Sequence, residues 1–158
     1  MRSLKLGFLI LLHCGALSAA ELIVRPPSTL LVPTMQHLRD HCGAAGHYDG
    51  CARFVAFRLE ASCAPADANT WSISARATYA PWIFLYNMHQ LSHELEHLGD
   101  VRVTIEQHLA SLEALRFESD SDCAQRSLGE AKSFEETIRA AAVKSNLTRH
   151  PQLRFTNP

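Results

Sequence analysis

Near the middle of the chain two histidines stand four residues apart, with a glutamate directly after the first: His93-Glu94-Leu95-Glu96-His97. On an α-helix this spacing puts both imidazoles on one face, within reach of one metal ion. Glu94 projects beside them, where it would take a proton from water held by the metal and not bind the metal itself. Zinc is the metal such a pair suits. It polarises a carbonyl and brings the pKa of its water toward roughly 7, so hydrolysis of an amide bond is the expected chemistry. A catalytic zinc takes three protein ligands as a rule, and the motif supplies two. Asp100 is the nearest candidate for the third, on roughly the same helix face as the histidines. On a straight helix it lies about 10 Å along the axis from His93. It can therefore join the pair only if the helix bends at Gly99, whose backbone freedom makes it the one place for a bend. Otherwise a carboxylate of a second helix, Glu130, Glu135 or Glu136, folds back to complete the site. Tyr48, Tyr79, Tyr86, His108 and His150 are residues that could stabilise an oxyanion.

The elements that must hold these residues can be read from the spacing of apolar positions. The segment 53–61 (RFVAFRLEA) ends in the alternation of a half-buried strand. At 71–79 (WSISARATY), Trp71, Ile73, Ala75, Ala77 and Tyr79 take one face and polar residues the other, so the two segments form a hairpin. Pro81 suits the first turn of a helix. From there Phe84, Met88, Leu91, Leu95, Leu98, Ile105, Leu109 and Leu112 mark a helical stripe, and His93 and His97 lie beside that stripe. A turn with capping residues at 118–123 leads to a second helix at 124–144, followed by an irregular tail. Ahead of the hairpin, Pro26, Pro27 and Pro33 interrupt a short apolar run, 35–42 is expected to close into a short helix, and 43–50 is turn-rich. Strands first and helices after give an α+β fold: a small antiparallel sheet, a long active-site helix and a second, C-terminal helix.

The 158 residues have room for one domain with a core, and a net charge of −1 leaves no basic surplus for nucleic acid or an anionic membrane. Residues 1–20 have the pattern of a signal peptide: Arg2 and Lys5, an apolar run from Leu6 to Leu12, then Ser18-Ala19-Ala20. That run is too short to span a bilayer. The mature domain, 21–158, is therefore expected outside the cytoplasm, secreted or periplasmic, with no stable membrane insertion. Cys42, Cys51, Cys63 and Cys123 remain in it, an even number that in an exported protein argues for two disulfides. If 53–61 is a strand, Cys51 and Cys63 lie at its opposite ends and cannot be joined. Cys42–Cys51 with Cys63–Cys123 is slightly favoured over Cys42–Cys63 with Cys51–Cys123, because its short loop closes easily.

An exported chain with a β-rich first half, a Trp-led alternating strand, the stretch WIFLYNMHQLSHELEHLGD and a long helical tail resembles the family of predicted secreted zinc-dependent proteases. The resemblance covers roughly residues 50–145, and the motif is its specific part. It implies a zincin-like fold, His93 and His97 as zinc ligands, Glu94 as catalytic base and a peptide or protein as substrate. It names no third ligand. The H-E-x-x-H-x-x-G-x-x-H continuation of metzincins is missing, since position 100 is Asp and 103 is Val. Two other readings remain: a metal-binding protein that uses the His89, His93 and His97 face without catalysis, and an interaction domain whose amphipathic helix docks a partner.

Overall fold

The alternation at 71–79 belongs to a strand longer than its pattern suggests. In the computed structural model, which describes residues 20–43 and 49–150, β4 spans Trp71–Leu85 and pairs antiparallel with β3, Gly50–Pro65. Two short strands, β1 (Glu21–Val24) and β2 (Ser28–Leu31), pair with β4 as well, both in parallel. The sheet is therefore mixed, and the wholly antiparallel sheet expected from the sequence is not what forms. The register supplies the reason. β1 lies against 76–79 and β2 against 82–85, with Arg25-Pro26-Pro27 between them. Proline cannot donate to a ladder, so these residues split one edge strand into two.

Pro81 falls opposite that gap and lies inside β4, not at the start of a helix. The ladder makes least demand on its missing N–H there. On its other side β3 carries a bulge: between Val55 and Arg58 two residues, Ala56 and Phe57, face Tyr79 alone, and Ala56 has φ 51°. Such a bulge bends the strand and sharpens its twist.

The helix α1 (Met35–Cys42) opens on Thr34, whose hydroxyl accepts from the His37 amide. A 3-10 turn at Met88–Gln90, capped by Asn87, leads into α2, Leu91–Ala114. Phe84 and Met88 thus precede the helix, and the expected stripe starts later than the sequence suggested. α3 (Asp120–Arg149) is capped by Ser119, and Asp120 and Asp122 in its first turn complement the helix dipole. Between the helices Phe117 exchanges two backbone hydrogen bonds with Trp71, of 2.8 and 3.0 Å. These bonds fix the link to the start of β4.

α2 packs on β4, α3 packs on β3, and the two helices pack on each other. The main core joins Ile73, Ala75, Ala77 and Tyr79 of β4 to Val101, Ile105, Leu109 and Leu112 of α2 and to Phe134 and Ile138 of α3. A smaller cluster gathers Val32, Leu38, Cys51 and Phe84 around α1. Cys42 is bonded to Cys51 and Cys63 to Cys123, with Cα separations of 6.0 and 5.9 Å. Two disulfides are the mark of an oxidising compartment. Among the described residues no helix is long and apolar enough to cross a membrane. The expected leader, apart from Ala20, and Tyr48 lie outside the described residues.

Candidate metal centre

The buried positions of α2 are Glu94, His97, Leu98, Val101, Ile105, Leu109 and Leu112, which share one helix face. The motif therefore continues the inward stripe, where the sequence had placed it alongside. Leu95, expected inward, is 43% exposed, while His97 is 7% and Glu94 4% exposed. The partners at this end of α2 explain the exchange. They are a backbone edge at Gly50 and Ala52 and the polar end of α3, which satisfy an imidazole and a carboxylate as they could not satisfy leucine.

Three histidines meet here. His93 Nε2 lies 3.1 Å from His97 Nε2 and 3.1 Å from His150 Nε2, and His97 Nε2 lies 3.3 Å from His150 Nε2. His150 directly follows α3, its amide donating to Asn146 O at 2.8 Å, so it continues the helical bonding by one residue. Hydrogen bonds among the rings do not account for such a triangle. Each Nε2 offers one proton or one lone pair, so three mutual contacts cannot all be donor–acceptor pairs. A cation at the centre satisfies all three lone pairs at once. Tetrahedral zinc with Zn–N bonds of about 2.0–2.1 Å holds its nitrogens about 3.3–3.4 Å apart, close to the spacing of this trio. The three histidines could hold a metal ion.

The second nitrogen of His97 settles its tautomer. Nδ1 lies 2.8 Å from Ser145 Oγ, and the Ser145 hydroxyl donates to Asp100 Oδ2 at 2.7 Å. Ser145 has one proton and a carboxylate only accepts, so the His97 contact runs from the ring N–H to the serine oxygen. The lone pair of His97 is then on Nε2, facing His93 and His150. Burial is the main cause that lowers the His97 pKa to about 4, with the neighbouring His93, His150 and Arg149 acting in the same direction. Burial also lowers that of His150, with His93 and Arg149 adding to it.

Asp100 lies outside the trio. α2 runs unbroken through Gly99, so the bend that would have brought its carboxylate to the histidines does not occur. It accepts from Arg149 instead, through Nε at 2.6 Å and Nη2 at 2.9 Å, as well as from Ser145. Arg149 also bonds Glu96. Arg149 is the chief reason that the Asp100 carboxyl titrates below the usual range. The other candidates are engaged or remote. Glu130 meets Arg126 at 2.6 Å and His108 at 3.1 Å, Glu135 meets Arg139 at 2.5 Å, and Glu136 is exposed. At 1.5 Å per residue all three carboxylates sit about 20–30 Å along α3 from His150.

Glu94 points to the start of β3. A Cβ built on Gly50 would come within 3.2 Å of Glu94 Oε1 and 3.0 Å of Leu85 Cδ2, so glycine permits this close approach. Desolvation raises the Glu94 pKa to about 7, and a hydrogen bond from the Ala52 amide partly opposes the rise. Of the oxyanion candidates, His150 is in the trio and Tyr79 is a core residue 1% exposed, stacked edge-on to Phe54; Tyr86 is exposed. A groove of about 730 Å³ borders the trio at His93, walled by Val103, Thr104, Lys144 and Thr148.

His150 as a partner of His93 and His97 had no signal in the sequence. It stands 53 residues after His97, in a tail without periodicity, and only the path of α3 brings it back. No protein-family model, curated protein or solved structure matches this chain.

Proposed function

We propose that the chain is an exported, zincin-like endopeptidase, with zinc held by His93, His97 and His150 and with Glu94 as its general base. The observation that carries this reading is the convergence of three Nε2 atoms at the spacing of tetrahedral zinc ligands. Imidazole suits several transition metals, but three protein ligands with a fourth position left to water or substrate is the arrangement of a catalytic zinc site. Zinc bound there supplies a Lewis acid for a substrate carbonyl and for a water molecule. Glu94 accepts the proton of the attacking water and hands it to the leaving amine. Its seat against Gly50 and Ala52 keeps the carboxylate dry and close to the strand edge.

An extended peptide could add along β3 but not along β4. β4 is flanked by β3 on one side and by β1 and β2 on the other. A peptide added along β3 near Ala52 would bring its carbonyl toward Glu94, with main-chain hydrogen bonds supplying affinity. The two disulfides fit an enzyme that works outside the cytoplasm.

Hydrolysis of an unfolded protein substrate by the purified mature chain tests this. Cleavage should cease on adding a strong chelator and return with one equivalent of zinc. Cleavage that persists in chelator, or no cleavage by zinc-loaded protein, would contradict the peptidase reading.

A further inference from the structure

Glu96, between the two histidines of the motif, has a defined task. The Arg149 guanidinium lies between α2 and the end of α3. It is held by both oxygens of Asp100, at 2.6 and 2.9 Å, and by the Glu96 carboxylate, while Nη2 also reaches the Glu96 carbonyl at 3.5 Å. A planar fork of five donors can meet two carboxylates at fixed angles, which an ammonium cannot. The next residue is His150. Fixing Arg149 therefore fixes the last turn of α3 and aims the imidazole that follows it. The same Asp100 oxygen that accepts from Arg149 Nε also accepts from Ser145, which orients His97. One carboxylate on α2 thus governs two members of the trio by separate routes.

We infer that Asp100 and Arg149 are positioning residues of the metal centre: Arg149, clamped by Asp100 and Glu96, places His150, and Asp100 through Ser145 places His97. The inference rests on reading the trio as a metal site. Residues that orient ligands in this way typically change metal affinity by about 10- to 100-fold when removed. The arrangement has a directional consequence. Arg149 acts chiefly through His150, the residue beside it, and Ser145 acts through His97.

Zinc affinity of the full mature chain, measured by competition with a chromogenic chelator, tests both routes, with circular dichroism of the metal-free proteins as a check on folding. Arg149→Gln should weaken zinc by about 10- to 100-fold in the wild-type background. In a His150→Ala background the same substitution should change affinity less than about threefold, because the ligand it positions is already gone. Ser145→Ala should keep its full effect in that background. Arg149→Lys should restore only part of the loss, since a point donor cannot hold both carboxylates. Equal losses from Arg149→Gln with and without His150, or no loss in either, would overturn the clamp. Failure of the wild-type chain to bind zinc is a different result, and would overturn the metal centre together with the clamp.

Discussion

Replacing Glu94 by glutamine is expected to leave zinc in place and to lower peptide hydrolysis by about 10²- to 10⁴-fold, the range for loss of a general base. The amide is nearly isosteric, and its oxygen can still accept from the Ala52 amide that the carboxylate now faces. What it cannot do is take a proton from water. The fold and the trio should therefore survive, and the change should appear in kcat and not in metal content. Single-turnover cleavage of an unfolded protein, run beside zinc analysis of the same preparation, separates the two quantities. Wild-type cleavage by the variant would remove Glu94 from the reaction. Loss of zinc would make it a structural support of the site.

The part of this centre legible in the sequence is the part that is local. The H-E-x-x-H spacing places His93 and His97 by helix geometry alone, and the alternation at 71–79 identifies β4 because each inward residue contacts the core. The cysteine pairing was legible in part: a strand cannot bring Cys51 to Cys63, which left two pairings, and the slightly favoured one, Cys42–Cys51 with Cys63–Cys123, is the one that forms. What escaped the sequence depends on contacts distant along the chain. α3 was expected to end at Lys144, before Ser145 and Asn146, residues that compete with a helix for its own hydrogen bonds. It continues to Arg149, with the Ser145 side chain engaged by His97 and Asp100 across the interface. That extra turn delivers His150. In the same way, four-residue β1 and β2 are too short and too broken by proline to announce a parallel pairing. Their partner is a strand some fifty residues further along the chain.

The second large effect concerns stability. Cys63–Cys123 joins the far end of β3 to the first turn of α3 and closes a loop with a sequence separation of 60. Loop-closure entropy for that length corresponds to about 4 kcal/mol, against about 2.5 kcal/mol for the shorter Cys42–Cys51 loop. Cys123 is 0% exposed and belongs to the main core, so the bond also fixes packing beneath the helices. A domain of this size is stable by about 5–15 kcal/mol, so the loss of this bond consumes a large share. Denaturant unfolding of a Cys63→Ala, Cys123→Ala double variant should show a much lower midpoint than a Cys42→Ala, Cys51→Ala double variant. The reverse order, or a cost below about 1 kcal/mol for the long loop, would show that the clasp between β3 and α3 matters little to the folded state.

The claim on which the rest depends is that His150 completes a metal site begun by His93 and His97. Zinc stoichiometry of the purified mature chain, measured by elemental analysis beside His150→Ala and Asp100→Ala variants after dialysis against a weak chelator, addresses it directly. One zinc per wild-type chain is expected, and none retained by His150→Ala. Asp100→Ala should retain zinc when the metal is supplied in excess, with weakened affinity. Full zinc occupancy of His150→Ala under the same dialysis, or no zinc in the wild-type chain even after addition of the metal, would contradict it.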